Sequence, residues 1–588
     1  MKVIAKSPED RYQSCYGLAA DLTNCLNQYK KNRNIANFSI GLKDFPHHFA
    51  LPQKLFGREN ESIELHSSFH KTIEGSRELV LISGEPGAGK SSLVNEIYKP
   101  VITNNGFFVE GKFEQFRKDK PYSSIIFAFQ NLIQIICNNS PKFIQQWKKR
   151  ILQNLQNNGK VITDIIPELE FIIGEQPEVP VLGAKETRER FKIVFIKFIS
   201  CFATRETPLV LFIDDLQWAD EASLELIKTI IYEKSIANIL IIGAYRPNNT
   251  ELFNQFFSDI YEVPEDIINK KNIELGTLSI PQINLMLGYI LKCNSDTSFP
   301  LATLIKKKTN GNPFFVGQFI KVLYENKFIT LEKYGINEGD QEQIWEFTWD
   351  IDHIKSLDMT NNVIDLMIQK IKSLKESVIQ TLKYAACIGS TFEIDVLNHL
   401  PEVHESELFS NLSEASTTGF INNNGSTYRF EHDRFQEAIY SMMDEATRIS
   451  YHYQIGQILL EKYKKKDEID INIFSIINQL NFGIKSQQLS NSEKLEIANL
   501  NFIAALRSKN SSAYRAAGGY LNTGIALLPK DRWESQYNLT LQYYIEIGEN
   551  AFFTGNHAIA NKYLNDILDK AHSVLEKVRD FEIKMDYF

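Results

Sequence analysis

The sequence predicts an α/β fold, a parallel β-sheet with flanking helices around a phosphate-binding loop. An all-α lid, a winged helix and a tetratricopeptide-like run of helices are predicted to follow it. Three observations carry the α/β part. The apolar run ELVLISG leads straight into GEPGAGKSS, which begins at Gly84. The run at residues 209–213 of PLVLFIDDLQWAD is apolar throughout and ends in Asp214 and Asp215. A third run, NILIIGAYRP, ends at Arg246. Continuous rather than alternating apolar runs mark strands covered on both faces, as parallel sheets are. Ligands of such sheets bind beyond the carboxyl ends of the strands, where all three motifs fall.

Gly84, Glu85, Pro86, Gly87, Ala88, Gly89, Lys90 and Ser91 spell G-x-x-x-x-G-K-S, with Ser92 next. A loop of this kind turns successive backbone N–H groups toward one point, and the helix after it adds its positive end. The expected ligand is ATP or ADP. Lys90 would reach the outer phosphates and Ser91 would hold Mg2+. The plainer alternative, a Gly-rich turn capped by serine, does not account for the strand before it and the amphipathic LVNEIYKPVI after it. Asp214 is expected to hold the metal and Asp215 to polarise the attacking water; the alternative is an ordinary acidic turn. Arg246 either senses the terminal phosphate through charge-assisted bonds or is an exposed loop arginine. Before the loop, Phe56, Gly57 and Arg58 of QKLFGRENE form a turn that is a candidate for contacting the adenine.

Bulk properties set limits. At 588 residues the chain exceeds one core, so several domains are expected. A net charge of -9 argues against a nucleic-acid partner. The six cysteines are scattered singly and none forms C-x-x-C, so neither a zinc site nor a disulfide framework is expected. No apolar run approaches the roughly 20 residues that span a bilayer, and MKVIAKSPEDRYQS lacks the apolar core of a secretory signal. No membrane partner and a cytoplasmic location follow as expectations.

The core is expected over residues 53–270. The long gap from Lys90 to Asp214 requires a helical insert, placed at 121–200 by stripes such as IIFAFQNLIQII and RFKIVFIKFI. A helical lid is expected at 271–340 and a winged helix at 341–445. The latter is read from NVIDLMIQKIKSL, ESVIQTLKYAACIGS and ESELFSNLSEAS, then two short strands around NNNGS. ESELFSNLSEAS holds the place of a recognition helix yet carries acids and no Lys or Arg, so DNA phosphates would repel it. At 446–588, SAYRAAGGYLNTGIALLP and GNHAIANKYLNDILDKA share small residues followed by Tyr-Leu. That suggests tetratricopeptide-like pairs, although Tyr520 to Tyr563 exceeds the usual ~34-residue period. Stacked pairs would offer a surface to protein partners; the alternative is a helical domain without a groove.

The set LFGRE, GEPGAGKSS, LVLFIDDLQWAD, IIGAYRP and TNGNPFF resembles the signal-transduction ATPases with numerous domains, the STAND class of AAA-related P-loop NTPases. In particular it looks like the Orc-like ATPase module of large cyanobacterial-type proteins that join a serine/threonine kinase, this ATPase, a helical repeat, a GAF sensor and a histidine kinase. The likeness runs through nearly the whole chain, including IIPELEFIIGEQPEVPVLG and YLNTGIALLP. It implies that Pro313 of GNP packs near the adenine and links lid to winged helix. It also implies that His432 of FEHDRFQEAIY contacts the diphosphate in a resting state, against the alternative of a core histidine on a winged-helix strand. No arginine finger can be picked out, which leaves ring assembly and oligomeric state open. KVIAKSPEDRYQSCYGLAADLTNCL, in residues 1–30, resembles the last helices of a protein kinase lobe, in which Arg11 would pair with an acid of the activation segment. A polar linker at 31–52, broken by Pro46 and Pro52, would follow. No kinase-type Gly-rich loop, H-R-D or D-F-G is present, so a kinase active site is excluded for this chain. The chain is therefore expected to be an internal piece of a larger protein, with parent or neighbouring kinase domains as partners. The leading function is an ATP-driven signalling switch. A non-hydrolysing scaffold and an origin-type DNA-binding ATPase are the alternatives.

Overall fold

The three apolar runs become the middle of a five-stranded sheet. Its strands are β1 (Arg77–Gly84), β2 (Phe107–Lys112), β3 (Leu209–Asp214), β4 (Ile239–Tyr245) and β5 (Asn269–Leu275). Their order across the sheet is β2-β3-β4-β1-β5. β1 pairs with β4, β4 with β3 and β3 with β2, all parallel. All six residues of β3 are buried, as an uninterrupted apolar strand requires. This computed structural model describes the chain except residues 1, 5–10, 13, 39, 42–43, 45–53, 115–120, 181, 248–250, 336–342, 357–367, 369, 401–404, 426, 465–467, 487–488, 512, 575 and 579–588. Pro46 and Pro52, most of the expected helix at 362–374 and most of the closing stretch at 577–588 lie outside the described residues. Two units are distinguished: Met1–Ile63 with Glu85–Leu93 and Leu275–Leu366, and Glu64–Gly84 with Val94–Glu274 and Met367–Phe588.

In the second unit the insert is helical, with longer helices at Ser123–Cys137, Pro141–Leu155 and Ala184–Ser200. Its aromatic side chains form one cluster. Trp147 stacks on Phe202 at 5.1 Å, Phe129 lies 5.4 Å from Phe198, and Phe107 of β2 meets Trp147 at 5.4 Å. Each buried Phe contributes about 1.5–3 kcal/mol of transfer free energy, so this cluster fixes the insert to the edge of the sheet.

The first unit holds three lid helices, Ile280–Leu291, Ser295–Thr309 and Pro313–Glu325. They close around Phe56, Leu287, Leu301, Phe319 and Ile320. A hairpin not foreseen in the sequence follows, β6 (Ile329–Gly335) paired antiparallel with β7 (Gln343–Trp349). The N-terminal helix Cys15–Asn32 starts from a Ser14 cap. Asp44, in the stretch expected to be a polar linker, is buried against it. Its carboxylate accepts from Ser14 N at 2.9 Å and Oγ at 3.0 Å, and pairs with Lys2 at 3.3 Å. That part of the linker is thus tied to the helix.

Further along the second unit, helix Glu376–Ile388, β8 (Thr391–Glu393), helix Glu405–Thr417, β9 (Ile421–Asn424) and β10 (Thr427–Phe430) make a winged-helix arrangement. Its antiparallel strands run β8-β10-β9. Helix Asp433–Ser441 leads out of it into antiparallel pairs: Glu445–Lys464 with Ile469–Gly483, Asn491–Asn510 with Tyr514–Leu527, and Tyr537–Phe553 with His557–Lys570. The pairs begin at Glu445, Asn491 and Tyr537, a spacing of 46 residues. That unit is longer than a tetratricopeptide repeat and accounts for the wide Tyr520–Tyr563 interval. Polar bridges register one pair on the next. Asn481 and Asn501 exchange amide bonds at 2.8 and 3.0 Å, and Lys509 pairs with Glu546 at 2.6 Å and Glu549 at 2.9 Å. His452 joins three helices: it faces the Tyr440 hydroxyl at 3.1 Å and Gln479 Oε1 at 2.6 Å. Among the described residues, no helix is long and apolar enough to cross a membrane.

Candidate functional site

The loop after β1 is shaped by two glycines at positive φ, Gly87 at 84° and Gly89 at 93°. Their surroundings differ. A Cβ at Gly87 would lie 2.8 Å from both Asn312 Oδ1 and Phe314 Cβ, whereas nothing lies within 4 Å of one at Gly89. Gly87 is therefore required by packing. Gly89 leaves the room that a phosphate oxygen needs beside a backbone N–H. Ala88 N donates to Glu85 O at 3.0 Å and Leu93 N to Gly89 O at 2.9 Å, so the loop passes directly into helix Lys90–Asn95. Lys90 is buried, and its Nζ donates to Glu85 O at 3.3 Å. Ser91 and Ser92 sit in the first turn of that helix.

Four residues brace this loop. Asn312 Nδ2 donates to Pro86 O at 2.9 Å, and Phe314 N donates to Gly87 O at 3.1 Å. Arg58 donates to Ala88 O at 3.4 Å and also to Gly276 O. Gln282 Nε2 donates to Gly57 O at 3.1 Å, fixing the turn that carries Arg58. Asn312 also caps helix Pro313–Glu325 by accepting from Phe315 N, with Pro313 in the first turn, where its missing N–H costs nothing. The neighbours of Pro313, rather than the ring itself, thus hold the loop. Phe56 is buried in the lid core, 5.6 Å from the Tyr289 ring. Asn312 escaped the sequence reading, although Asn before Pro at a helix start is a legible cap signal.

A charged cluster stands at the carboxyl ends of β2, β3 and β4. Asp214 is buried and its Oδ1 accepts from Asp215 N at 2.9 Å. Asp215 is left-handed, with φ 54°, a conformation that a short polar side chain tolerates. Its Oδ1 accepts from Gln217 Nε2 at 2.7 Å and Arg246 Nε at 3.3 Å, and its Oδ2 lies 3.6 Å from Lys112 Nζ. Arg246 is not an exposed loop residue. Its side chain is 18% accessible and pairs with Glu437 at 3.0 Å. Its N–H donates to Gln217 Oε1 at 3.1 Å. Lys112 also bonds Asp433, and Arg434 pairs with Glu437 at 3.0 Å. Burial opposes the charge on Lys112, but Asp433, Asp214 and Asp215 together outweigh it and raise its pKa. Arg246 is treated alike: burial lowers it, Asp215 and Glu437 raise it further.

His432 lies past the end of β10, at the N-cap of helix Asp433–Ser441, not on a strand. Its Nδ1 accepts from Arg434 N at 3.1 Å. Burial pushes its pKa down to about 4, against the pull of Asp433 and with the help of Lys112, Arg434 and Arg246. The imidazole is therefore neutral at physiological pH, with its proton on Nε2. The structure thus gathers Asp214, Asp215, Arg246 and His432 around Lys112, Gln217, Asp433 and Glu437, none of which the sequence reading named.

Residues 54–242 match the AAA ATPase domain. This stretch is an AAA-type P-loop module, which implies nucleotide binding. Beyond it, the chain is 27% identical over 97% of its length to the hybrid signal transduction histidine kinase G of Dictyostelium discoideum, covering 20% of that protein. It is 21% identical over 90% of its length to the peroxide stress-activated histidine kinase mak3 of Schizosaccharomyces pombe, covering 25% of that one. The chain thus spans a fifth to a quarter of these relatives, and the likeness is to histidine kinases of a slime mould and a yeast rather than to the cyanobacterial-type arrangement in particular. Among solved structures, a STAND protein with a tetratricopeptide repeat sensor from Pyrococcus horikoshii is 13% identical, covers 92% of this chain and 68% of its own, and has a TM-score of 0.44.

Proposed function

We propose that this chain is an ATP-binding and ATP-hydrolysing switch module of a larger signalling protein, whose nucleotide state sets the arrangement of lid and helical repeat. The observation that carries the reading is the loop itself: G-x-x-x-x-G-K-S with positive φ at Gly87 and Gly89, and open space beside Gly89. Backbone N–H groups of Gly87, Gly89 and Lys90 hold the phosphates, the Lys90 ammonium neutralises the outer ones, and the turn at Phe56, Gly57 and Arg58 borders the base. Pro313 and His432 complete the nucleotide-binding set. Ser91 and Asp214 are the hydroxyl and the carboxylate that would hold Mg2+. Such an ion would supply positive charge against the outer phosphates. Asp215 orients the attacking water and Arg246 senses the terminal phosphate. The repeats, on a cytoplasmic chain, receive protein partners, and kinase domains of the parent protein are among them; residues 1–30 are the end of a serine/threonine-kinase lobe in the cyanobacterial-type order.

The non-hydrolysing reading has its own support, because the Asp215 carboxylate is already engaged by Gln217, Arg246 and Lys112. Titration with a fluorescent ATP analogue and a steady-state ATPase assay decide. Lys90→Ala removes charge-assisted bonds worth about 1.5–3 kcal/mol each, so affinity should fall roughly tenfold or more. Equal affinities would sink the nucleotide site. Asp215→Asn should keep binding and lose turnover. If the wild type binds but shows no turnover above the Asp215→Asn background, the chain is a scaffold.

A further inference from the structure

The N–H groups of Gly87, Gly89 and Lys90 share their peptide planes with the carbonyls of Pro86, Ala88 and Gly89. In a trans peptide the N–H points away from the carbonyl of the residue before it, and no cis bond occurs among the described residues. Whatever holds those three carbonyls therefore aims the three N–H groups the other way. All three are held. Asn312 Nδ2 donates to Pro86 O at 2.9 Å, Arg58 Nη2 to Ala88 O at 3.4 Å, and Leu93 N to Gly89 O at 2.9 Å. The Leu93 bond comes with the start of helix Lys90–Asn95. The other two come from distant parts of the chain, yet every residue involved belongs to the first unit. Such holds are needed at Gly87 and Gly89, because glycine accepts either sign of φ and lets the adjoining peptide turn over. With its Ala88 carbonyl swung inward, the loop would set an oxygen against phosphate. Arg58 is itself fixed: it also donates to Gly276 O, pairs with Glu61 at 3.4 Å, and its side chain is 7% exposed. Its planar fork is thus committed to two carbonyls and one carboxylate.

We propose that Arg58 and Asn312 are positioning residues of the phosphate site: they hold the Ala88 and Pro86 carbonyls outward and so keep the Gly89 and Gly87 N–H groups aimed at the phosphates before any nucleotide arrives. The Arg58 guanidinium serves the phosphate end of the ligand and not its base. This rests on the nucleotide reading above and names the side chains that keep the site ready. A loop held in its binding shape loses little freedom when phosphate enters, and that saving appears as affinity.

The test compares ADP with inorganic pyrophosphate by calorimetry on the full chain, wild type against Arg58→Met and Arg58→Lys, each well below its own melting midpoint. Methionine keeps much of the length and loses every donor. Lysine keeps one cation that reaches one carbonyl at a time, and is the safeguard should the methionine variant fold poorly. Arg58→Met should weaken ADP and pyrophosphate by the same factor, about tenfold or more, and Arg58→Lys by a common factor of about three. Pyrophosphate has no base, so a loss confined to ADP would make Arg58 a ligand of the base and overturn the proposal. A lowered melting point with both affinities within about twofold of wild type would overturn it too, since a merely structural arginine leaves the affinity of the folded chain unchanged. Failure of the wild type to bind ADP would instead overturn the nucleotide reading on which the proposal stands.

Discussion

The phosphate loop and the strand-end cluster are built from different interactions. The loop is clamped by backbone groups, two side-chain amides and an arginine aimed at carbonyls: Asn312 to Pro86, Phe314 to Gly87, Gln282 to Gly57, Arg58 to Ala88. None of those contacts is an ion pair. The cluster is nearly all ion pairs, with Lys112 and Arg246 each between two carboxylates. Contacts that set a donor against a neutral carbonyl respond less to salt and pH than ion pairs do. An arrangement of shared charges responds to both, because salt screens it and acid removes its carboxylates. The two sites therefore differ in what can disturb them: packing for the loop, charge for the cluster.

The comparison can be broken hardest at Gly87. Valine there would place a Cβ against Asn312 and Phe314, at a φ that β-branched residues avoid. A cost of about 2–4 kcal/mol is expected from strain and overpacking. Nucleotide affinity should drop at least thirtyfold, read by the same fluorescent titration, and an affinity within threefold of wild type would show the clamp to be dispensable.

Acid should act next, and on the charged unit. Half-buried His432 and buried His452 are held by desolvation at about 4, below the ~6.5 of an unfolded chain. Between pH 6.5 and 4 the unfolded state takes up protons that the folded state refuses, so stability is full above 6.5 and is lost as pH falls to 4, by up to about 3 kcal/mol per histidine. Asp220, half-buried at the cap of helix Glu221–Tyr232 and raised to about 6 by desolvation, works the other way: it binds its proton first in the folded state, so acid favours folding between pH 6 and 4. Thermal melts from pH 7 to 4.5 should show a net loss for the wild type, a smaller one for His452→Gln and a steeper one for Asp220→Asn. Parallel curves for all three would remove these groups from the acid response.

Asn312→Ala is the mildest change. It removes a helix cap worth about 1 kcal/mol and the bond to Pro86. Nucleotide affinity should weaken about fivefold with little dependence on ionic strength, because no charge is lost. A strong salt dependence of that loss would contradict the division between the two regions.

Legibility in the sequence followed the same division. β1, β3 and β4 are uninterrupted apolar runs and were read at once. β2 interrupts its apolar residues with Glu110 and Lys112, and β5 begins NKKN, the lysine-rich composition of a sheet edge. Neither carries the signal of a central strand. The hairpin was visible in the alternation of QIWEFTW but lay beyond a lid read by helical period alone. The loop is a local motif, so its residues could be named one by one. The cluster is not: Lys112 and Asp433 are 321 residues apart, Arg246 and Glu437 191. No period links such positions, and only the fold of the second unit brings them together.

The short passage from the winged helix to the repeats has a mechanical meaning. Helix Asp433–Ser441 ends three residues before helix Glu445–Lys464 begins, and His452 pins both to the next helix through Tyr440 and Gln479. Beyond it, Asn481–Asn501 and Lys509 with its two glutamates hold each helical pair to its neighbour. The helical pairs are therefore tied in series behind Asp433, so a tilt of helix Asp433–Ser441 would be passed from pair to pair to the last one.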